Sequence, residues 1–258
     1  MTMRMTLSSD SLIVPDWPAP AAVRSLLTTR KGGISQGVYA SLNLGDHVGD
    51  DPLAVAANRA RVDRIAGNTT GKPVWLEQVH GTRVIDAAAA NSGLGCPPQA
   101  DAAFTRSTDV VCVVMTADCL PVLFCDDSGS VVAAAHAGWR GLLAGVLEET
   151  VRAMSVPGNR LMAYLGPAIG PQAFEVGDEV RSAFVAADTN AAVAFKPVSS
   201  GNWLADIYEL ARQRLVGQGV RRVFGGSMCT VNDADNFFSY RRDGVTGRMA
   251  SMVWLEKA

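Results

Sequence analysis

The side chains able to do unusual chemistry are few in this chain: its 258 residues include three histidines and five cysteines. Two of the histidines and one cysteine stand at the ends of apolar runs about as long as buried strands. His80 ends the run 73–79, Cys119 follows the run 110–115 after Thr116-Ala117-Asp118, and His136 closes 131–135 before the turn Gly138-Trp139-Arg140-Gly141. Loops at strand ends are where rigid scaffolds display chemistry, so these side chains can converge. Two imidazoles and a thiolate are a ligand set that zinc accepts, and three protein ligands leave a fourth tetrahedral position open, as in catalytic sites. The spacing itself carries no local metal signature such as HExxH. The same residues support a second reading, in which Cys119 is a nucleophile and His136 or His80 its general base.

Stepping outward from these residues, the chain alternates short apolar runs with amphipathic ones. Strands are expected over 23–29, 73–79, 83–86, 100–104, 110–115, 131–135, 161–165, 222–225 and 249–255, and helices over 52–66, 141–154, 175–185 and 203–216. Asp51-Pro52 opens the first helix with a capping carboxylate and a proline in the first turn. In the second, Leu143, Leu147, Thr150, Val151 and Met154 form a stripe at helical spacing. Several links between strands are too short for crossover helices. The expected fold class is therefore α+β, with mixed β-sheets and flanking helices in a single domain over 1–258 and a loosely ordered start over 1–15.

Composition narrows the function classes. Hydrophobic residues make up 48% and charged residues 19%, values of an ordinary globular chain, and the net charge of −2 with no long Lys/Arg run excludes a nucleic-acid footprint. No apolar run approaches the roughly 18 residues that would cross a bilayer, and the N-terminus lacks the apolar centre of a signal peptide, so a cytoplasmic location without membrane attachment is expected. Five cysteines without a CxxC pair argue against a disulfide framework. Cys112 and Cys125 read as small core residues, whereas Cys119, between Asp118 and Pro121, reads as part of a strained turn.

Five words in order, Gln78-Val79-His80-Gly81, Thr116-Ala117-Asp118-Cys119-Leu120-Pro121-Val122, His136-Ala137-Gly138-Trp139-Arg140-Gly141, Leu165-Gly166-Pro167-Ala168-Ile169-Gly170 and Phe238-Ser239-Tyr240-Arg241-Arg242-Asp243, give the chain a clear resemblance. It resembles the YfiH-type family, variously labelled laccase-domain protein, polyphenol oxidase and purine nucleoside phosphorylase, from Ser41-Leu42-Asn43 to Trp254. The resemblance implies a YfiH-like catalytic domain with zinc on His80, Cys119 and His136. It also implies phosphorolysis of adenosine, inosine and methylthioadenosine, with adenosine deamination as a companion activity. Three histidines are too few for a multicopper laccase, although a single copper in the His2Cys site, with polyphenol oxidase activity following from it, is an alternative. An amidase acting on a cell-wall precursor is the rival enzyme class within the family's repertoire, and a metal-braced binding module is the non-enzymatic alternative.

Phosphorolysis asks for groups that hold phosphate and for others that hold the nucleoside. Arg140 is the leading phosphate candidate, since it follows a metal-ligand candidate in a Gly-flanked turn; Arg59, Arg241 and Arg242 are the others. Ser41, Asn43 and His47, in a polar glycine-punctuated loop, are candidates for the ribose hydroxyls. For proton shuttling the available carboxylates are Glu77, Asp118 and Glu175, and Asp118 has the further option of orienting a ligand imidazole.

Overall fold

The computed structural model describes residues 11–66, 71–90, 96–199 and 201–256. Two mixed sheets face each other. The first has the order β1 (Leu12–Ile13), β2 (Val23–Thr28), β14 (Met249–Leu255), β6 (Val110–Thr116) and β3 (Lys72–Val74), with only β3 parallel to its neighbour. The second runs β13 (Arg222–Gly225), β9 (Leu161–Leu165), β7 (Leu120–Asp126), β8 (Val132–Ala137), β5 (Ala102–Thr105), β4 (Val84–Asp86), antiparallel in its centre and parallel at both edges. A small antiparallel sheet, β10 (Glu175–Val176), β12 (Trp203–Ala205) and β11 (Phe195–Pro197), lies to one side. The helices are α1 (Pro52–Ala66), α2 (Ala87–Ala90), α3 (Trp139–Ala144), α4 (Val146–Met154), α5 (Asp178–Ala187), α6 (Ile207–Gly217) and α7 (Tyr240–Asp243).

Three apolar layers hold these parts together. Strand β7 shows how: Leu120, Val122 and Phe124 pack toward α3, α4, α5 and α6, while Leu123 and Cys125 pack toward the first sheet. On that sheet's far side, Val111, Val113, Ala250 and Met252 meet Val62 of α1 together with Leu42 and Leu44. The order is thus helix, sheet, sheet, helices, and strands covered on both faces read as the near-continuous apolar runs VVCVVMT and LPVLFCD. The expected α+β class with mixed sheets is what the chain adopts. Among the described residues no helix is long and apolar enough to cross a membrane.

Several boundaries depart from the sequence reading for local reasons. Within the loose start expected over 1–15, residues 1–10 lie outside the described part, but Leu12 and Ile13 pair with β2 and the Ser11 carbonyl accepts the Thr29 N–H at 2.9 Å. Edge pairing gives this dipeptide both backbone partners and apolar cover. The strand expected over 73–79 stops at Val74, because the following backbone turns to wrap a carboxylate (below). The helix expected over 141–154 is broken at Gly145, whose φ of 102° ends α3 and begins α4. Glu175 and Trp203 begin strands rather than helices. The helix after Trp203 starts instead at Asp206, whose side chain accepts the Tyr208 and Glu209 N–H groups, while Asn202 donates to Glu175 Oε1. The loop expected over 91–99 falls partly outside the described residues.

Candidate metal centre and its cavity

The chain leaves the first sheet at Thr116 and enters the second at Leu120, so Ala117-Asp118-Cys119 is a sheet-to-sheet link rather than a hairpin turn. Asp118 takes a φ of 94° there, and its carboxylate secures the link: Oδ1 accepts the Thr230 hydroxyl at 2.6 Å and Oδ2 accepts the Arg241 backbone N–H at 2.6 Å. With both oxygens so engaged, Asp118 positions Cys119 and the C-terminal segment. It does not reach a ligand imidazole.

The carboxylate that does is Asp101, which the sequence reading passed over as a strand residue. It is wholly buried, and its Oδ1 lies 2.8 Å from His136 Nδ1. Its backbone carbonyl accepts the His136 N–H at 2.7 Å. The same carboxylate accepts three successive backbone N–H groups, from Val79 at 3.2 Å, His80 at 2.9 Å and Gly81 at 2.6 Å. That nest bends the chain and carries His80 into the left-handed region, at φ 60°. One buried side chain therefore fixes both imidazoles. Burial alone would raise the Asp101 pKa, but the His136 imidazole and the Gly81 and His80 N–H groups outweigh it and hold the carboxyl below its ordinary value. A carboxylate at Nδ1 keeps the proton there and leaves His136 Nε2 free as a ligand atom.

His80, Cys119 and His136 come together as expected, although His136 lies inside β8 rather than beyond its end. Their ligand atoms all lie within 4.8 Å of one another, and His80 Nε2 is 3.6 Å from Cys119 Sγ. Ligand atoms around a tetrahedral zinc stand roughly 3.3–3.8 Å apart, given bond lengths of about 2.0–2.3 Å. The donors fit. The two rings sit edge to face with centroids 4.7 Å apart. Close approach is possible because position 138 has no side chain: a Cβ there would stand 2.8 Å from His80 Cδ2 and 2.9 Å from Cys119 Sγ. Burial pushes the Cys119 thiol pKa up, but the His136 and His80 imidazoles overcome this and hold it below the ordinary thiol value. His136 is correspondingly held above its ordinary value by Cys119 and Asp101 against its own burial. The thiol is thus poised to be a thiolate, as a metal ligand must be.

These three residues floor a cavity of about 500 Å3. Trp139, Phe174 and Tyr240 give it an aromatic wall, and Arg140, Arg241, Arg248 and His47 bring charge or hydrogen bonding to it. Arg140 is exposed, with its guanidinium 4.3 Å from the Trp139 ring centroid, and Arg241 donates to the Glu175 carbonyl at 2.9 Å.

The other candidates lie outside the cavity wall, each for a visible reason. Arg59 is tied to the Leu44 carbonyl, to Asp46 and to the face of Trp75, and so braces α1 against the first sheet. Asn43 is fully buried: it accepts the Gly45 and Arg248 N–H groups and donates to the Gly45 carbonyl and Asp50. Ser41 bridges the Gly33 N–H and the Arg30 carbonyl. Both polar side-chain atoms of Asn43 are engaged by the loop and by Arg248, which leaves neither for a ribose hydroxyl. Glu175 accepts from Asn202, Arg242 pairs with Asp243 and three backbone carbonyls, and Glu77 is exposed and bridged to Gln99. Besides Asp101, sequence reasoning missed Arg248, although its place between Gly247 and the last strand marked it as a residue a loop hands to the sheet.

Comparison with known proteins agrees with this architecture. Residues 24–256 match the family model described as "Multi-copper polyphenol oxidoreductase laccase". A curated Pseudomonas aeruginosa protein named purine nucleoside phosphorylase is 55% identical over 245 residues, 95% of this chain and 98% of the relative. The Escherichia coli protein named purine nucleoside phosphorylase YfiH matches with the same identity and coverage. Among solved structures, a Neisseria meningitidis protein superposes with a TM-score of 0.92 at 55% identity, over 96% of this chain and all of the other. YlmD from Geobacillus stearothermophilus gives 0.87 at 32%, over 93% and 94% of the two chains.

Proposed function

The chain belongs to the laccase-like polyphenol oxidoreductase family that includes YfiH, and from that premise we propose that it is a cytoplasmic zinc-dependent purine nucleoside phosphorylase. Its substrates on this reading are adenosine, inosine and methylthioadenosine together with phosphate, and residues 24–256 form its catalytic domain. The observation that carries the reading is the His80–Cys119–His136 group at the floor of an aromatic- and arginine-walled cavity. Relatives named for phosphorolysis of purine nucleosides match over nearly their whole length. All five cysteines are free, which suits a reducing compartment.

Zinc, when bound, supplies a Lewis acid at its open position. The protein's own residues do the rest. Trp139, Phe174 and Tyr240 offer π-faces to the purine, and stacking of this kind is worth about 1–3 kcal/mol per base. His47, 3.5 Å from Asp46, is the cavity group assigned to the ribose hydroxyls in place of Ser41 and Asn43. Arg140 and Arg241 stand at the exposed rim, where they attract the phosphate. Asp101 holds the His136 proton at Nδ1 throughout. Multicopper oxidation would need several metal groups, and among the described residues His80, Cys119 and His136 form the only His/Cys/Asp/Glu cluster of that kind. Deamination of adenosine needs a carboxylate acid/base. Asp118 is the one on the cavity wall, and its two oxygens are already taken, so phosphorolysis is the primary assignment and deamination a companion.

The test is release of free base from adenosine and inosine by zinc-quantified protein, with and without phosphate, for wild type, Cys119→Ala and His136→Ala. Phosphate-dependent release that falls by several orders of magnitude together with stoichiometric zinc is the expected result. Zinc-loaded wild type that leaves both nucleosides intact would sink the assignment and bring forward the amidase reading, in which the Cys119 thiolate attacks an amide.

A further inference from the structure

Arg248 is a partly buried arginine without a carboxylate partner; among the described residues Arg30, Arg181 and Arg212 share that condition, but of these four only Arg248 lines the cavity. Arg59, Arg214 and Arg242 each pair with a carboxylate, namely Asp46, Glu148 and Asp243. Arg248 has no such pairing among the described residues. Its Nη1 donates to the Thr246 and Gly247 carbonyls, both at 3.0 Å, and these are its side-chain hydrogen bonds among the described residues, so Nε and Nη2 remain to be satisfied. A partly buried cation is costly unless an anion meets it. The residue lines the cavity, and its charge lies in the field of Cys119 and Asp118, next to the metal-ligand group rather than at the rim.

Its placement is also firmly built. The Arg248 N–H donates to Asn43 Oδ1 at 2.9 Å, and its carbonyl accepts the Leu44 N–H at 3.1 Å. The aliphatic stem runs so close to Gly45 that a Cβ there would lie 2.7 Å from Arg248 Cγ. Asn58 of α1 in turn donates to the carbonyls of Ser41 and Asn43, anchoring that loop from behind. The Ser41-Leu42-Asn43 word therefore serves the site indirectly, as the scaffold of Arg248. Arg140 and Arg241, by contrast, are exposed. A guanidinium with a free edge and a locked stem loses little freedom on gripping an oxyanion and suits phosphate geometry.

We propose that Arg248 is the residue that anchors inorganic phosphate beside the metal group, an assignment that rests on the phosphorylase reading for its reaction but not for its binding. The decisive experiment uses the zinc-loaded full chain and its Arg248→Met and Arg248→Lys variants. Phosphate binding is followed by calorimetry, and the KM for phosphate and for inosine is measured alongside zinc content. Expected are a rise of about 10- to 100-fold in phosphate Kd and KM for Arg248→Met, a smaller rise for Arg248→Lys, and little change in inosine KM or zinc stoichiometry. If Arg248→Met does not fold, the Lys variant carries the test, because it keeps the charge and loses only the fork. Phosphate-dependent wild type with an unchanged phosphate KM in both variants would overturn the assignment while the phosphorylase reading stood. Wild type that binds phosphate through Arg248 without turning over nucleosides would leave the anion site standing and remove the phosphorylase reading. Adenosine 5′-monophosphate separates free phosphate from phosphate carried on a nucleotide: Arg248-dependent binding of the nucleotide alone would also overturn the assignment.

Discussion

Replacing Asp101 by asparagine changes one oxygen to an NH2 group at the most constrained point of the site. In the wild type that carboxylate accepts four N–H groups at 2.6–3.2 Å in a position with no solvent exposure. The asparagine amide has two ways to sit. With its nitrogen in place of Oδ2 it faces the Val79 and Gly81 N–H groups, leaving two buried donors without acceptors at about 1–3 kcal/mol each. That would loosen the turn carrying His80. With its nitrogen in place of Oδ1 it faces His136 Nδ1, and the imidazole must move its proton to Nε2, so the ligand lone pair is lost. Either arrangement weakens the metal group, and loss of a partner of this kind typically costs about 10- to 100-fold in metal affinity. Zinc affinity measured against a competing chromophoric chelator should fall by that amount for Asp101→Asn. Thermal unfolding of the metal-free variant should show a loss of about 2–4 kcal/mol if the first arrangement prevails and less if the second does. A variant with wild-type zinc affinity and an unchanged melting curve would refute the argument that Asp101 sets both imidazoles.

Three further outcomes are expected. Gly138→Ala puts a methyl group within 3 Å of both His80 and Cys119 while asking nothing unusual of the backbone, φ −62° and ψ 157°; zinc affinity should drop at least 10-fold with the fold retained, as read by chelator competition and circular dichroism. In metal-free protein Cys119 should be alkylated by iodoacetamide near neutral pH, with zinc protecting it, whereas buried Cys112 and Cys125 should stay unmodified in the folded state; peptide mapping that finds Cys119 inert would contradict the thiolate assignment. Asp126 closes the β7–β8 turn by accepting from Ser128, Ser130 and Val131, and although burial alone would raise its pKa these bonds hold it at about 2 against 3.8 in the unfolded chain. Because the folded value is the lower one, its contribution of about 2 kcal/mol is complete above pH 4 and lost as pH falls toward 2. Denaturation of wild type and Asp126→Asn over that range should converge, and parallel curves would exclude this source.

Strands β6 and β8 were legible, or nearly so, because burial on both faces leaves unbroken apolar runs, whereas the equally buried β7 was not expected as a strand. β9 and β14 showed themselves in the same way as β6 and β8, β2 and β13 as shorter, partly exposed runs, and α1 through its Asp-Pro start. The elements misread were those in which a local pattern gave way to a tertiary partner. The apolar continuation after Val74 looks like strand, but its Glu77 N–H goes to the Pro98 carbonyl and its Val79 N–H to the Asp101 carboxylate, partners far along the chain. Trp203-Leu204-Ala205 fits a helix by composition, yet it pairs with β10 and β11 because Asp206 starts the helix just after it.

What the sequence made legible by itself was the candidate trio of side chains and the architecture class. Histidines and thiols are scarce, and strand-flanking positions for His80, Cys119 and His136 restrict what they can do together. What only the tertiary structure decided was the service of the polar residues around them. Asp101 read as a strand residue and Asp118 as part of a turn; one orients the imidazoles and the other fastens the crossing between sheets, a difference made by which donors the fold brings within 3 Å. Arg59, Arg140 and Arg248 are likewise alike as letters. Burial, carboxylate pairing and the line of the backbone set one to bracing a helix, one to the rim and one to the cavity wall, because the energy of a charge depends on its surroundings far more than on its neighbours along the chain.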